Sequence, residues 1–532
     1  MGTERGGATG GGVRGGGTAG GGAAGGGVTV DAIPVRPLVR AIPRGWTALR
    51  ALGAVEDLPH TLFLESAGEA GESCEWTILA FDPLWRLEAT IDPGASAIAA
   101  AHAPLRRIEG AASVALAGHP LDALAAAWPA RVRFDPPPPI PFAGGLAGYL
   151  AYDVKDWVER YPSRARREWT FPDLSLGFYD VVWAWKRSTG EGWVVSLGLP
   201  ETEPAERERR AAARLDVQWR RIEDAQADGT DRAKRDGSGN TAASPTAAPA
   251  PRVTSNFTRD EYHRAVGRAL EHVAAGDIYQ VNLAQRFLVE PAPAAPALYR
   301  ALREAAPAPF LAYLSLGEGA GIASSSPERF FRIEGERIET WPIKGTRPRG
   351  RTPEEDADLA GALRRSEKDR AENVMIVDLE RNDLGRICAI GSVHVPALCD
   401  VTSHSNVHHL VSRVEGRLRD DVGPADVIRA VFPGGSITGA PKIRAVEIID
   451  TLEPVRRGVY TGAIGYWGVD GDCDWNIAIR TVVTAGGVAS FHAGGGIVAD
   501  STPEGEYEET LVKASGMMRA LGVDPERGRV QG

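Results

Sequence analysis

The chain has 532 residues, 43% hydrophobic and 24% charged, with a formal net charge of −10. That composition is ordinary for a folded protein with room for more than one domain, and its acidity argues against a nucleic-acid surface or an anionic membrane as partner. No stretch approaches the roughly 18 apolar residues of a membrane span, and the N-terminus lacks an apolar signal core, so the cytoplasm is the expected location. The four cysteines, Cys74, Cys388, Cys399 and Cys473, form no CxxC pair, and neither a disulfide framework nor a zinc site is expected. ESCEW and RICAI lack the small neighbours of a G-x-C-x-G elbow, so no cysteine amidotransferase nucleophile is expected in this chain.

Residues 1–30 are read as a disordered tail, since 15 of the first 27 are glycine. Residues 31–225 form a first region of α+β character. Strands are expected at Thr61 to Glu65, Trp76 to Phe81, Leu146 to Tyr152 and Val181 to Trp185, and helices at Leu121 to Trp128 and Pro204 to Ile222. From Gln226 to Arg252 there is no Val, Ile, Leu, Met or aromatic residue, so 226–255 is assigned as a flexible linker. A second region spans 256–522, and 523–532 is a C-terminal tail.

The second region opens with a capping box, Thr258 to Glu261, and a helix whose apolar positions are Tyr262, Val266, Leu270 and Val273, stopped at Gly276. A strand follows, with Tyr279, Val281 and Leu283 on one face and Gln280 and Asn282 on the other. Further strands are expected around 310–325, 329–341, 460–468, 476–484 and 489–493, and helices around 367–381, 425–431, 441–450 and 505–520.

Several stretches carry candidate chemistry. In SSSPERF and WPIKGTRPRG, a hairpin turning at Glu334 to Arg337 brings Glu328 near Lys344, as an ion pair or as an acid facing an amine. The helix SEKDRAENVMIVDL offers Asp369 and Glu372 one turn apart, with Val374, Ile376 and Val377 on its buried side. The helix GEYEETLVKASGMMRAL places Glu506, Glu509 and Lys513 on one face and Tyr507, Leu511, Ala514 and Met518 on an apolar stripe. Carboxylates brought together from two helices suit magnesium, and a solvated face is the alternative. The run Gly494 to Gly496, placed after a strand, is a flexible turn or a backbone cradle for an anion, and Thr438 and Lys442 stand at a helix entry where anions are favoured.

Taken in order, SPERF, PIKGTRPRG, EKDRAENVMIVDLERNDLGR, HHLVSRVEG, FPGGSITGAPKIRAVEIID, IAIRT and GGGIVADSTPEGEYEET closely resemble the chorismate-utilising family. That family contains anthranilate synthase component I, aminodeoxychorismate synthase component I, isochorismate synthase and salicylate synthase. LFLES and PFAGGLAGYLAYD resemble its N-terminal domain more weakly. The resemblance implies an α/β fold, a large two-sheet β-sandwich core flanked by helices, as in anthranilate synthase component I. Water-adding members carry a lysine base where this chain has Gln280, and anthranilate synthases carry PIAGT where this chain has PIKGT. The implied branch is therefore aminodeoxychorismate synthase, which aminates chorismate toward p-aminobenzoate and folate with magnesium as cofactor.

The same resemblance implies Lys344 as nucleophile and Glu328 as general acid. It implies Glu372, Glu506 and Glu509 as magnesium ligands, with Asp369 behind them. Arg480, Lys513 and the backbone of Gly494, Gly495 and Gly496 match contacts to chorismate, and Thr438, His409 and Tyr460 line its pocket. Ser66 resembles a residue of the family's tryptophan pocket, although AGEAGESCEWTILAFDP departs from the usual pattern. The implied partner is a glutamine amidotransferase subunit that supplies ammonia to a heterodimer, and no fused lyase is expected. The alternatives are anthranilate synthase component I and a catalytically weak regulatory or binding subunit.

Overall fold

The computed structural model describes residues 32–67, 75–91, 104–161, 165–169, 171–227, 250–403 and 407–524. The expected N-terminal tail, most of the linker, Cys74 and residues 525–532 lie outside this set. Among the described residues there are two sheets of 12 strands each, and both draw strands from the two sequence regions. In one sheet Leu62–Glu65 pairs with Phe310–Gly317, and in the other Gly145–Leu150 pairs with Ala463–Gly468, both antiparallel.

Alternation along the strands produces the layers. Leu62, Ile78, Ala80, Val182 and Val195 of the first sheet join Trp85, Leu87, Leu146 and Leu174 of the second in one buried cluster. Their neighbours Phe63, Leu79, Trp183 and Val194 point the other way, onto Leu298, Tyr299, Leu302 and Met517 of two helices. The expected sandwich flanked by helices is the observed fold.

Most element boundaries agree within a few residues. Pro204–Ala227 and Lys442–Leu452 are helices, and Arg259–Ala274 begins at the expected capping box, with reciprocal Thr258 and Glu261 hydrogen bonds. Several expectations change. Arg252–Ser255, placed in the linker, is a strand paired with Gln280–Glu290. Tyr279 is 73% exposed, because the strand starts one residue later and only Val281 and Leu283 enter the core. Val374 is exposed, and Asn373 takes the buried position on that helix.

Two long strands of the sequence reading are each two strands with a break. Phe310–Gly317 and Ala320–Ser326 form a hairpin, and Cys473–Ile477 and Thr481–Ala485 belong to different sheets. The chain crosses between sheets at 327–328 and again at 478–480, where Arg480 has φ 50°. These crossovers run side by side: Ile477 N–H donates to Glu328 O at 3.0 Å, and Ser325 N–H donates to Arg480 O at 3.0 Å. Glu328 and Arg480 thus leave the sheets at neighbouring points.

Candidate active site

The hairpin Arg329–Glu334 and Arg337–Thr340 forms in the expected register, and the chain then continues into the strand Ile343–Pro348. Lys344 lies on that strand opposite Leu410, and its Nζ donates to the Ser436 carbonyl at 3.1 Å. Its charge is felt at Glu328, Glu372, Lys513 and Glu509. Desolvation lowers the Lys344 pKa from its usual value, Glu372 and Glu328 oppose that, and Lys513 adds to it. Arg347, three residues along the same strand, pairs with Asp369 at 2.8 Å.

Glu328 is 5% exposed. Burial raises its pKa, and the Ser436 hydroxyl, the Lys344 amine and the Ile343 N–H, which favour the anion, only partly offset this. Burial thus favours the protonated form of the carboxyl and the neutral form of the amine, and a pair biased in those directions is suited to acid catalysis and nucleophilic attack.

The helices Glu367–Gly385 and Pro503–Ala520 bring up the carboxylates. Glu506 is buried, accepts from Ser501 Oγ at 2.6 Å with Oε1, and leaves Oε2 enclosed without a partner. Burial raises the pKa of both Glu372 and Glu506, and the charge of Glu509 adds to each. Glu509 pairs with Lys513 at 2.7 Å, and Lys513 also donates to the Gly494 carbonyl at 3.0 Å.

The glycine run is not a turn. It lies within the strand Val488–Ile497, opposite Leu283, Ala284 and Asn282. Its neighbour Thr481–Ala485 stops pairing at Phe491, so one edge of the run is free of ladder bonds from that strand. A Cβ on Gly495 would lie 2.7 Å from Glu506 Oε2 and 3.2 Å from Glu509 Oε1. Glycine here keeps open the space that the carboxylates face.

Among the described residues, no trio of His, Cys, Asp or Glu is drawn together as a ready-made metal cage. The donor set nevertheless fits a hard cation: an orphaned carboxylate oxygen of Glu506, the further glutamate Glu509 whose charge it feels, and a gap beside Gly495.

Arg480 is half-buried, and among the described residues no hydrogen bond or ion pair engages its guanidinium. Desolvation lowers its pKa, and an anionic ligand is the natural complement to such a group. His409 is 3% exposed, with Nδ1 3.0 Å from Thr346 Oγ1 on the Lys344 strand. Tyr460 stacks on His492 at 5.0 Å, and burial pushes its pKa up to about 12.

Two residues at the expected helix entry are otherwise engaged. Thr438 donates its hydroxyl to the Gly434 carbonyl at 2.8 Å, and Lys442 pairs with Asp383 at 2.5 Å. Ser66 stands apart, in a cavity of about 730 Å³ lined from both sheets by Trp76, Phe310, Arg329 and Tyr466.

Three residues escaped the sequence reading. Ser436 touches Lys344 and faces Glu328. Arg457 places all of its donors on Glu453, Ile437 O, Asn282 O and Thr461 Oγ1. Asn282, read only as a strand position, donates to the Ser436 carbonyl at 2.8 Å. SITGAPK contains Ser436 as a motif position, whereas nothing in RRGVY marks Arg457.

A family model described as chorismate binding enzyme matches residues 79–519. The chain belongs to the chorismate-binding enzyme family. Among its relatives, anthranilate synthase component 1 of Thermus thermophilus is 43% identical over 385 residues, covering 72% of this chain and 78% of that protein. Aminodeoxychorismate synthase component 1 of Salmonella typhimurium is 42% identical over 390 residues, covering 73% and 78%. The crystal structure of anthranilate synthase component I from Streptococcus pneumoniae superposes with a TM-score of 0.67 at 28% identity, covering 85% of this chain and 93% of that one. Overall identity therefore sets the family without separating these two branches.

Proposed function

We propose that this member of the family aminates chorismate at carbon 4, giving 4-amino-4-deoxychorismate, with ammonia delivered by a separate glutamine amidotransferase subunit. The observation that carries the reading is Lys344, a desolvated amine placed within charge range of the buried acid Glu328. Lys344 Nζ attacks ring carbon 2 as the two conjugated ring double bonds shift and the carbon 4–oxygen bond breaks. The departing hydroxyl takes the Glu328 proton and leaves as water. Ammonia then bonds to carbon 4, the two double bonds shift back, and the carbon 2–nitrogen bond breaks to release Lys344. The surplus proton of the incoming ammonia returns to Glu328, so the sum is chorismate plus ammonia giving aminodeoxychorismate plus water.

Arg480 and Lys513 hold substrate carboxylates, and Tyr460 and His409 wall the pocket. Gln280, fully buried, has no basic nitrogen with which to activate water, which disfavours hydration. Magnesium would be held by Glu372, Glu506 and Glu509, where it would neutralise the ring carboxylate of chorismate. Ser66 marks a site for an aromatic amino acid in its separate cavity.

The equal similarity to an anthranilate synthase favours anthranilate formation as the second reading. Product analysis with chorismate, Mg²⁺ and ammonium, with and without an aminodeoxychorismate lyase, decides between them. Lyase-dependent p-aminobenzoate is the expected result, with at least about a hundredfold loss in Lys344→Ala. Anthranilate without lyase, or undiminished amination by the variant, overturns the reading.

A further inference from the structure

We propose that Asn282 is a positioning residue for the Lys344 amine, acting through the Ser436 carbonyl that both side chains share. The inference rests on reading Lys344 as the reacting amine. The shared oxygen receives Asn282 Nδ2 at 2.8 Å and Lys344 Nζ at 3.1 Å. A carbonyl has two lone-pair directions, so a donor fixed on one leaves a single direction for the other.

The fixed donor is Asn282, because its own backbone is held on both sides. Its N–H donates to Thr438 O at 2.8 Å, and its carbonyl accepts from Arg457 Nη2 at 2.9 Å. Arg457 is itself immobilised. Glu453 takes its fork at 2.9 and 2.7 Å, and Glu453 Oε1 accepts the Ala284 N–H at 2.9 Å, two residues along the same strand as Asn282. The other arm of Arg457 donates to Ile437 O at 3.0 Å, next in chain to Ser436. Strand, turn and arginine therefore form one closed frame, and Lys344 is the member of it that has to move.

The frame also sets distance. Ser436 is 6% exposed, and its hydroxyl faces the Glu328 carboxyl, so the residue whose carbonyl aims the amine also adjoins the acid. Opposite Asn282 on the neighbouring strand is Gly496, where a Cβ would lie 3.2 Å from Asn282 Oδ1 and 2.6 Å from Gln280 Nε2. A side chain there would clash with Gln280 and press on the Asn282 amide oxygen.

Removing the Asn282 donor leaves the Ser436 carbonyl to Lys344 alone, which strengthens that bond and draws the amine back from substrate. The test uses the full chain with Asn282→Ala and Asn282→Ser, neither of which buries a charge or reaches the carbonyl. Two readouts are taken: chorismate kinetics, and labelling of Lys344 by an amine-selective acylating reagent at one pH, quantified by mass spectrometry against Lys368 and Lys513 of the same molecules. The expected result is kcat lower by about tenfold with KM within about twofold, and Lys344 labelled at least about threefold more slowly relative to the two internal controls.

A labelling ratio equal to wild type in a folded variant overturns the inference, whatever happens to kcat. So does a change in KM alone, since that removes ground-state binding and leaves the amine as it was. Labelling needs no turnover, and product identity in the wild type is judged separately. If the chain makes anthranilate, the functional reading fails while the labelling result still stands or falls by itself.

Discussion

Glu380 illustrates how a single buried side chain couples the site to solution conditions. It is 8% exposed, accepts from Thr340 Oγ1 at 2.9 Å, and lies in the field of Glu328 and Asp383. Burial pushes its pKa up to about 8, against the hydrogen bond from Thr340. The folded state therefore holds this proton over a range in which the unfolded chain, with a carboxyl of ordinary pKa near 4.3, has lost it. Native protein binds more protons than unfolded protein from about pH 4.3 to about pH 8, so this group's contribution to stability is present at low pH and lost as pH rises through that window. Glu380→Gln keeps an acceptor for Thr340 and removes the titration. Thermal and denaturant unfolding should find the stability of the variant relative to wild type greater at pH 9 than at pH 5 by about 4 kcal/mol. A constant difference at both pH values would mean that Glu380 is ionised throughout.

At the scale of elements, the helix Pro503–Ala520 serves two purposes from two faces. Tyr507, Ala514, Met517 and Met518 are buried, and Leu511 is partly buried beside them, while Glu506, Glu509 and Lys513 meet the glycine strand. Anchoring by the apolar face is what allows the carboxylates to be held close together, where each raises the cost of ionising its neighbour. Gly495 is the contact between the two elements. Gly495→Ala places a methyl 2.7 Å from Glu506 Oε2. Calorimetry should therefore show Mg²⁺ binding weakened by at least about tenfold, with little change in Tm. Unaltered Mg²⁺ binding would indicate that the carboxylates approach a cation elsewhere. The apolar stripe and the carboxylate face were legible from 3.6-residue periodicity. The role of the glycine run was not, because three glycines read as a turn unless the partner strand is known, and here the partner lies more than 200 residues earlier.

For the whole molecule, the division into two sequence regions does not correspond to two independent sheets. The first region inserts Gly145–Leu150 beside Ala463–Gly468 and Leu62–Glu65 beside Phe310–Gly317. Lys155, 2% exposed, spans the same boundary, with Nζ 2.7 Å from Asp156 and 2.9 Å from Asp450. A chain of residues 250–524 alone would expose unpaired strand edges and leave Asp450 without its buried partner. Expressed separately, it should show no cooperative unfolding transition, and co-expression with residues 32–227 should restore one. A cooperatively folding 250–524 fragment would show that the second region carries a sufficient core of its own.

Local physics sufficed for much of this protein. Capping signals and apolar periodicity located the long helices, and a tight turn between two strands was enough to place Glu328 near Lys344. Motif order carried the family, because its signatures are short and contiguous. What only the tertiary structure decided are the contacts between residues distant in the chain: Asn282 with Ser436, 154 residues apart, and Arg457 with Asn282, 175 apart. The break at Arg480 belongs with them, since an apolar run gives no sign of where a strand leaves one sheet for the other. Periodicity reports which face of an element is buried, whereas the identity of the group waiting on the other side is set by how the sheets close on each other.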